Sequence, residues 1–243
     1  MESWALVTGG AKRIGRVIAR KLHSNGYKVL IHYSNSHSEA QSLCNEFNRL
    51  RENSSVIVQA ELSNELGIMQ LAQRAADYPL AVLVNNASAF YPMPLEAANF
   101  NDCQRLLSIN LLAPYLLAQQ LATSLSKHQG TIINLLDIHG TKPLKDHGLY
   151  SISKAALQMA TLSLAQELGP EIRVNGVAPG AIIWPENSKN GAQDSIIKQI
   201  PLARCGAPSD IADTVQFLVD SHYISGQIIA VDGGRTVTGY LGA

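Results

Sequence analysis

Tyr150-Ser151-Ile152-Ser153-Lys154 sets a phenol and an ammonium four residues apart, and on a helix that spacing puts both side chains on one face. A lysine beside a phenol stabilises the phenolate and lowers the tyrosine pKa, so Tyr150 can deliver and recover a proton near neutral pH. Such pairs are also common on helix surfaces, so the neighbours decide. Thirteen residues before the tyrosine stands Asp137, in Leu135-Leu136-Asp137-Ile138-His139. An ionised aspartate only accepts hydrogen bonds, and beside a carbonyl oxygen that gains charge it would oppose reduction. Its plainer role is a turn or cap after a strand. Asn110, in Ser108-Ile109-Asn110-Leu111, is a poor helix former among apolar residues, and a buried amide there needs partners.

A second set of residues suits phosphate. Thr8-Gly9-Gly10-Ala11-Lys12-Arg13-Ile14-Gly15 joins an apolar run to a helical pattern. Glycines let the backbone approach a diphosphate, and the free N–H groups and dipole of the helix favour negative charge. A tight structural turn would use the same glycines. The next strand ends His32-Tyr33-Ser34-Asn35-Ser36, without the acidic residue expected ~20 residues after the glycines in an NAD site. His32, Ser34, Asn35 and Ser36 can donate hydrogen bonds, and Lys12 and Arg13 add positive charge, which suits a 2′-phosphate. The residues therefore favour NADP over NAD, although Lys12 and Arg13 also fit as solvated charges at a helix start.

These groups must be positioned by a regular scaffold. Short apolar or β-branched runs at Ala5 to Thr8, Lys28 to His32, Ser55 to Gln59, Ala81 to Asn85, Gly130 to Leu135, Arg173 to Val177 and Ile228 to Val231 predict seven strands. Helical patterns fall between them, near Arg13 to Ser24, Ser36 to Arg51, Leu66 to Asp77, Phe100 to Ser126, Tyr150 to Leu168 and Pro208 to Asp220. Alternation of this kind predicts an α/β fold with a doubly wound parallel sheet and helices on both faces. Residues 184–207, rich in Pro, Asn and Gly, break the rhythm and read as a substrate-covering loop.

The 243 residues suit one such domain, 1–243, and 46% hydrophobic residues supply its core. Nineteen basic residues balance nineteen acidic ones, so no basic field collects nucleic acid or an anionic membrane; the expected partner is small. Three widely spaced cysteines and seven histidines lack metal-ligand spacing. No signal peptide or uninterrupted apolar span is visible, and a reducing, cytoplasmic location is the default expectation.

Taken together, Thr8-Gly9 with Gly15, Asn85-Asn86-Ala87, Asn110, Tyr150 with Lys154, Pro179-Gly180 and Val231-Asp232-Gly233-Gly234 resemble the short-chain dehydrogenase/reductase family over nearly the whole length. The resemblance implies a Rossmann fold, a nicotinamide cofactor, proton relay through Tyr150, Lys154 and Asn110, and a homotetramer. Lys154 would hold the nicotinamide ribose, with Asn85, Asn86, Ala87, Pro179, Gly180 and Ile182 along the cofactor cleft. Glu61 and Leu62 would lie at the adenine side, where Glu61 replaces the usual aspartate.

Two departures narrow the resemblance. Arg13 stands where the family usually has a glycine, and Asp137 where it usually has a catalytic serine. The pteridine reductase branch is similar in both, in the His32-Tyr33 strand end, and in Asn85-Asn86-Ala87-Ser88-Ala89-Phe90-Tyr91-Pro92. That likeness implies that Arg13 reaches cofactor and substrate, that Ser88 touches cofactor phosphate or pterin, and that Phe90 stacks on the pterin ring. Trp184 would roof the substrate. The expected activity is NADPH-dependent reduction of a dihydropterin or dihydrofolate. A carbonyl reductase, such as a 3-oxoacyl carrier-protein reductase, and a non-catalytic NADP-binding sensor are the alternatives.

Overall fold

All four side chains of Trp4-Ala5-Leu6-Val7 are buried, as a strand covered on both faces requires. The computed structural model describes residues 3–183 and 190–238. Along the chain it runs β1 (Trp4–Val7), α1 (Arg13–Ser24), β2 (Lys28–Tyr33), α2 (His37–Leu50), β3 (Ser55–Gln59), α3 (Glu65–Ala76) and β4 (Leu80–Asn85). It continues through α4 (Phe100–Leu107), α5 (Ala113–Ser126), β5 (Thr131–Leu135), α6 (Gly148–Glu167), β6 (Arg173–Pro179), α7 (Asn190–Ile197), α8 (Pro208–Asp220) and β7 (Ile228–Val231). The strands form one sheet in the order β3-β2-β1-β4-β5-β6-β7, and every pairing is parallel.

Strand side chains alternate between two cores. Ala5 and Val7 join Ile18, Leu22, Phe47 and Val215 on the face covered by α1, α2 and α8. Trp4 and Leu6 join Leu71, Leu117, Leu121 and Leu164 on the face covered by α3, α5 and α6. Each fully buried leucine contributes roughly 1.5–3 kcal/mol of hydrophobic stabilisation. The sheet is therefore rigid where the site residues leave it.

From β1 the chain winds outward to β2 and β3, then returns to β4 on the other side of β1. At that reversal the loops beyond the strand ends separate and open a crevice suited to ligands. The segment after β1 carries Gly9 to Gly15, and the segment after β4 carries Asn86 to Tyr91. Two regions joined by hydrogen bonds 77 to 79 residues apart in sequence thus meet because of strand order.

The structure departs from the sequence expectation in two places. The predicted helix from Phe100 to Ser126 is interrupted by a π-helical turn at Ser108–Leu112. Pro114 has no N–H to give to the Asn110 carbonyl four residues back, and the Ala113 N–H reaches back to the Ser108 carbonyl, the wider spacing of a π turn. Second, α7 lies inside the predicted irregular stretch; it is only two turns long, and Gly, Asn and Pro around it mask its periodicity. The run Phe100–Ser126 is long and apolar enough to cross a membrane, but half of its most apolar window is buried in the protein, where Leu117, Leu121 and Leu125 pack on the sheet.

Candidate active site

The glycine turn is packed backbone to backbone. Gly9 has φ +61°, and a Cβ added there would lie 3.1 Å from the Ala87 Cα; one added at Gly15 would lie 2.3 Å from the Gly9 oxygen. Asn86 laces the two loops, its Nδ2 donating to the Thr8 and Gly9 carbonyls at 2.9 and 3.1 Å, while the Asn86 and Ala87 N–H groups donate to the Thr8 hydroxyl. At the start of α1 no side chain caps the helix and no acidic residue occupies its first turn. Uncapped N–H groups and an uncompensated dipole fit a diphosphate. Arg13 holds a left-handed φ of 50°, with its side chain exposed and without an ion pair among the described residues, so its cation is available at the rim.

His32 is placed differently from the sequence expectation. It is buried, its Nδ1 accepts the Gly9 N–H at 3.0 Å, and its Nε2 lies 3.1 Å from the Ala60 carbonyl. That pattern fixes the tautomer with the proton on Nε2 and leaves no donor for a phosphate. Burial pushes its pKa down to about 4, with the Ala60 hydrogen bond and the Glu61 charge opposing the shift. His32 is a neutral strut under the glycine turn. Tyr33 is likewise buried, its hydroxyl 2.6 Å from His37 Nδ1.

Ser34 and Asn35 do reach an open cavity of about 250 Å³, lined also by Gln59, Ala60, Glu61 and Gln70. Glu61 accepts from the Ser34 hydroxyl and the Ser63 N–H, both at 3.0 Å. Burial raises its pKa, but those hydrogen bonds outweigh burial and hold it ionised below the usual range. The backbone of Glu61 is fixed by α3: a Cβ at Gly67 would lie 1.9 Å from the Glu61 oxygen. Lys12 forms an ion pair with Glu39 at 2.7 Å. The corner read from sequence as free of carboxylates therefore receives two, Glu61 from the end of β3 and Glu39 from the first turn of α2. Leu62 is buried in the core, not at the lining of that cavity.

On the other side of β4 the residues expected from sequence to handle a proton converge. The Tyr150 hydroxyl donates to Asp137 Oδ2 at 2.7 Å, and Asp137 Oδ1 accepts the His139 N–H at 2.8 Å. Asp137 is thus both the cap of a short 3-10 turn and the partner of the tyrosine. Lys154 is buried and donates to the Leu135 carbonyl at 2.8 Å, with its Nζ 5.8 Å from the centre of the tyrosine ring. These contacts reverse the sign expected for the phenol: burial first, then the Asp137 charge and hydrogen bond, raise the Tyr150 pKa far above that of free tyrosine. Burial pushes Lys154 down to about 8, against the opposing effect of Asp137. Tyr150 is held as a protonated donor.

Asn110 is saturated. Its Nδ2 donates to the Ala89 carbonyl and the Ser153 hydroxyl, both at 3.0 Å, and its Oδ1 accepts from the Ala89 N–H at 2.8 Å and the Ser88 hydroxyl at 3.1 Å. The side chain therefore clamps the loop after β4 to α6 and has no hydrogen-bonding capacity left to pass a proton. Asn85 is buried and donates to Asn134 at 2.8 Å, holding β4 to β5. Phe90 is 50% exposed. Its ring stacks on His147 at 4.6 Å and 17° and meets the edge of Tyr150 at 4.8 Å and 80°.

His147 joins the site because it is the N-cap residue of α6, one turn before Tyr150. Its spacing of three residues from the tyrosine was the available signal. Pro179, Gly180 and Ile182 continue β6 beside Asp232, where a Gly180 Cβ would lie 2.7 Å from the Asp232 Cα. Trp184 and Pro185, together with 186–189, lie outside the described residues. Among the described residues no cluster of metal-ligating side chains occurs.

The parallel sheet, the glycine turn at its reversal point and the Tyr150, Asp137 and Lys154 arrangement fit a nicotinamide-dependent oxidoreductase. A family model described as enoyl-(acyl carrier protein) reductase matches residues 9–236, and the chain belongs to the short-chain dehydrogenase/reductase family. It is 34% identical to pteridine reductase 1 of Leishmania tarentolae over 96% of both chains. It is also 33% identical to carbonyl reductase family member 4 of Danio rerio, over 96% of this chain and 98% of that one. With 3-oxoacyl-[acyl-carrier-protein] reductase of Synechocystis it shares 32% identity over 96% of both.

Proposed function

We propose that the protein is an NADPH-dependent pteridine reductase, converting a dihydropterin or dihydrofolate ring to its tetrahydro form. The observation that carries this reading is the hydrogen bond from Tyr150 to Asp137, beside the half-exposed Phe90 ring. A serine at position 137 would donate to a ketone oxygen; an aspartate accepts, and suits a ring bearing N–H donors. When bound, nicotinamide supplies the hydride. The chain's own residues then provide a flat aromatic contact at Phe90 and a proton from the Tyr150 hydroxyl to a ring nitrogen. Asp137 orients that hydroxyl, and the Lys154 ammonium offsets the charge left on the phenol. The similarity to pteridine reductase 1 supports the same reading.

The preference for NADPH rests on the exposed Arg13 and on Asn35 and Ser36 around the adenosine corner, with the Ser34 hydroxyl given to Glu61. We place the whole chain in one NADP-binding domain that works in the cytoplasm on a small molecule rather than on nucleic acid. The exposed apolar side chains Phe100, Ile152 and Met159 on α4 and α6 support a homotetramer.

A carbonyl reductase is the second reading, favoured by the similarity to 3-oxoacyl-[acyl-carrier-protein] reductase. Purified protein with NADPH and a panel of dihydrobiopterin, dihydromonapterin, dihydrofolate and an acetoacetyl thioester decides between them. Nicotinamide absorbance should fall with the pteridines. Loss with the thioester alone would establish the carbonyl reductase instead, and binding without any turnover would indicate a sensor.

A further inference from the structure

Ser36-His37-Ser38-Glu39 carries the S-x-x-E pattern of a capping box, in which a glutamate at the third helical position folds back on the N-cap N–H while the serine hydroxyl caps the helix. At the start of α2 the serine half of this pattern is absent: Ser36 makes no side-chain cap. Glu39 is instead 2.7 Å from Lys12 Nζ, and it also accepts from Ser38 at 2.9 Å. Lys12 is the N-cap residue of α1, so the ion pair ties the glycine turn to α2 across the segment that carries Ser34, Asn35 and Ser36. Arg13, the next residue, has no such partner among the described residues. Two adjacent cations at the rim are thus treated differently, one neutralised and one left free.

We propose that Glu39 is the residue that sets how strongly this protein distinguishes NADPH from NADH, by competing with the 2′-phosphate for Lys12. The inference rests on the NADPH reading above and deepens it. A phosphate monoester carries close to two negative charges at neutral pH, one of which Arg13 can meet. To engage Lys12 as well, the phosphate must displace the Glu39 carboxylate, and a carboxylate that stays in place repels it. NADH brings no phosphate to that corner and leaves the pair undisturbed. Glutamate therefore lowers the affinity for NADPH selectively and moderates a preference that Lys12 and Arg13 together would make steeper. Glu61, the second carboxylate, is engaged by the Ser34 hydroxyl and the Ser63 N–H and makes no ion pair with Lys12, so Glu39 is the charge that competes for that lysine.

The test is fluorescence titration of both cofactors against the full chain and Glu39→Gln. Glutamine retains the length and an oxygen that can still accept from Ser38, and removes the charge. The ratio of the NADH to the NADPH dissociation constant is expected to rise by about 3–10-fold in the variant, with a steeper dependence of the NADPH constant on salt, since phosphate contacts of this kind are screened. A thermal melt of Glu39→Gln near that of the parent ensures that both measurements report on folded protein; if it falls, Glu39→Asp, which retracts the charge from Lys12 while keeping it, is expected to raise the same ratio. An unchanged or reduced ratio, in a parent that prefers NADPH, overturns the competition and assigns the ion pair to preorganising Lys12. A parent that binds NADH more tightly than NADPH overturns the NADPH reading itself, whatever the variant does.

Discussion

The Tyr150 hydroxyl and the Asp137 carboxylate are joined by a 2.7 Å hydrogen bond across the end of β5 and the first turn of α6. Burial and the adjacent negative charge raise the phenol pKa, so the resting site stores its proton on oxygen rather than presenting a phenolate. Replacing Asp137 by Ser keeps a hydrogen-bonding group but removes the acceptor charge and the cap on the His139 N–H. Positioned proton transfer is worth typically 10²–10⁴-fold, and Asp137→Ser is expected to lower dihydropterin turnover by about 10²-fold while changing NADPH affinity by less than about 3-fold. Steady-state rates and cofactor titration on the same preparation check this. Unchanged turnover would remove Asp137 from the reaction.

His32 makes folding acid-sensitive. Its pKa is lowered to about 4 in the protein, against about 6.5 unfolded. Above pH 6.5 the ring is neutral in both states and the strut between Gly9 and Ala60 contributes fully. As the pH falls below that value the unfolded chain takes up a proton that the folded one refuses, so stability declines until the folded pKa is passed. Between pH 6.5 and 5 the linkage is worth roughly 1.5 kcal/mol. Urea melts across this window should give that slope, and His32→Gln, which retains an acceptor for the Gly9 N–H without titrating, should flatten it. His23 is also lowered by burial and remains in the variant, so an equal slope in both proteins would clear His32 of the effect.

Sequence periodicity placed all seven strands and six helices because each buries a regular face, and β3, β7, α1 and α8 have the expected limits. The break at Ser108–Leu112 was hidden because Pro114 and Asn110 look like minor faults in an apolar run; only the missing donor explains the π turn. At the site, the close approach of Tyr150, Asp137 and Lys154 was legible from spacing within one helix and one strand end. The roles of His32 and Glu39 were not, because they depend on which way a side chain turns. His32 was read outward as a phosphate donor, yet a strand end flanked by β1 and β3 turns it inward. Glu39 lies beyond the strand end where an acidic residue is sought, and the turn of α2 brings it back to Lys12. Even the sign of the tyrosine shift depended on burial, which a Tyr-x-x-x-Lys spacing does not report.

Phe90 and His147 should separate binding from chemistry. The ring of Phe90 is braced by His147 at 4.6 Å and by Tyr150 at 4.8 Å, and such aromatic pairs contribute about 0.5–1.5 kcal/mol beyond area burial. Phe90→Ala is expected to raise KM for dihydropterin by about tenfold, with a smaller change in kcat, because it removes the flat contact and leaves Tyr150 and Asp137 joined. His147→Phe keeps a stacking partner and should stay within about 2-fold of the parent, whereas His147→Ala should raise KM part of the way. A kcat collapse in Phe90→Ala with KM preserved would place Phe90 in orienting Tyr150 instead.

Gly15 and Gly148 form a matched pair, because both lie in the first turn of a helix that carries site residues. An added Cβ at Gly15 would lie 2.3 Å from the Gly9 oxygen and 2.5 Å from Asn86 Nδ2, whereas at Gly148 nothing lies within 4 Å. Gly15→Ala must push the glycine turn away from the loop after β4, and that seam is where we place the diphosphate. Dinucleotide affinity is expected to fall by at least about tenfold, corresponding to roughly 1.4 kcal/mol, with a lower melting temperature. Gly148→Ala meets open space and reduces the freedom of the unfolded chain, so it should leave affinity alone and stabilise by about 0.4–1 kcal/mol. Calorimetric binding and thermal melts on the two variants discriminate a steric cradle from a general dislike of alanine: if Gly15→Ala binds dinucleotide as the parent does, the turn is not the phosphate site.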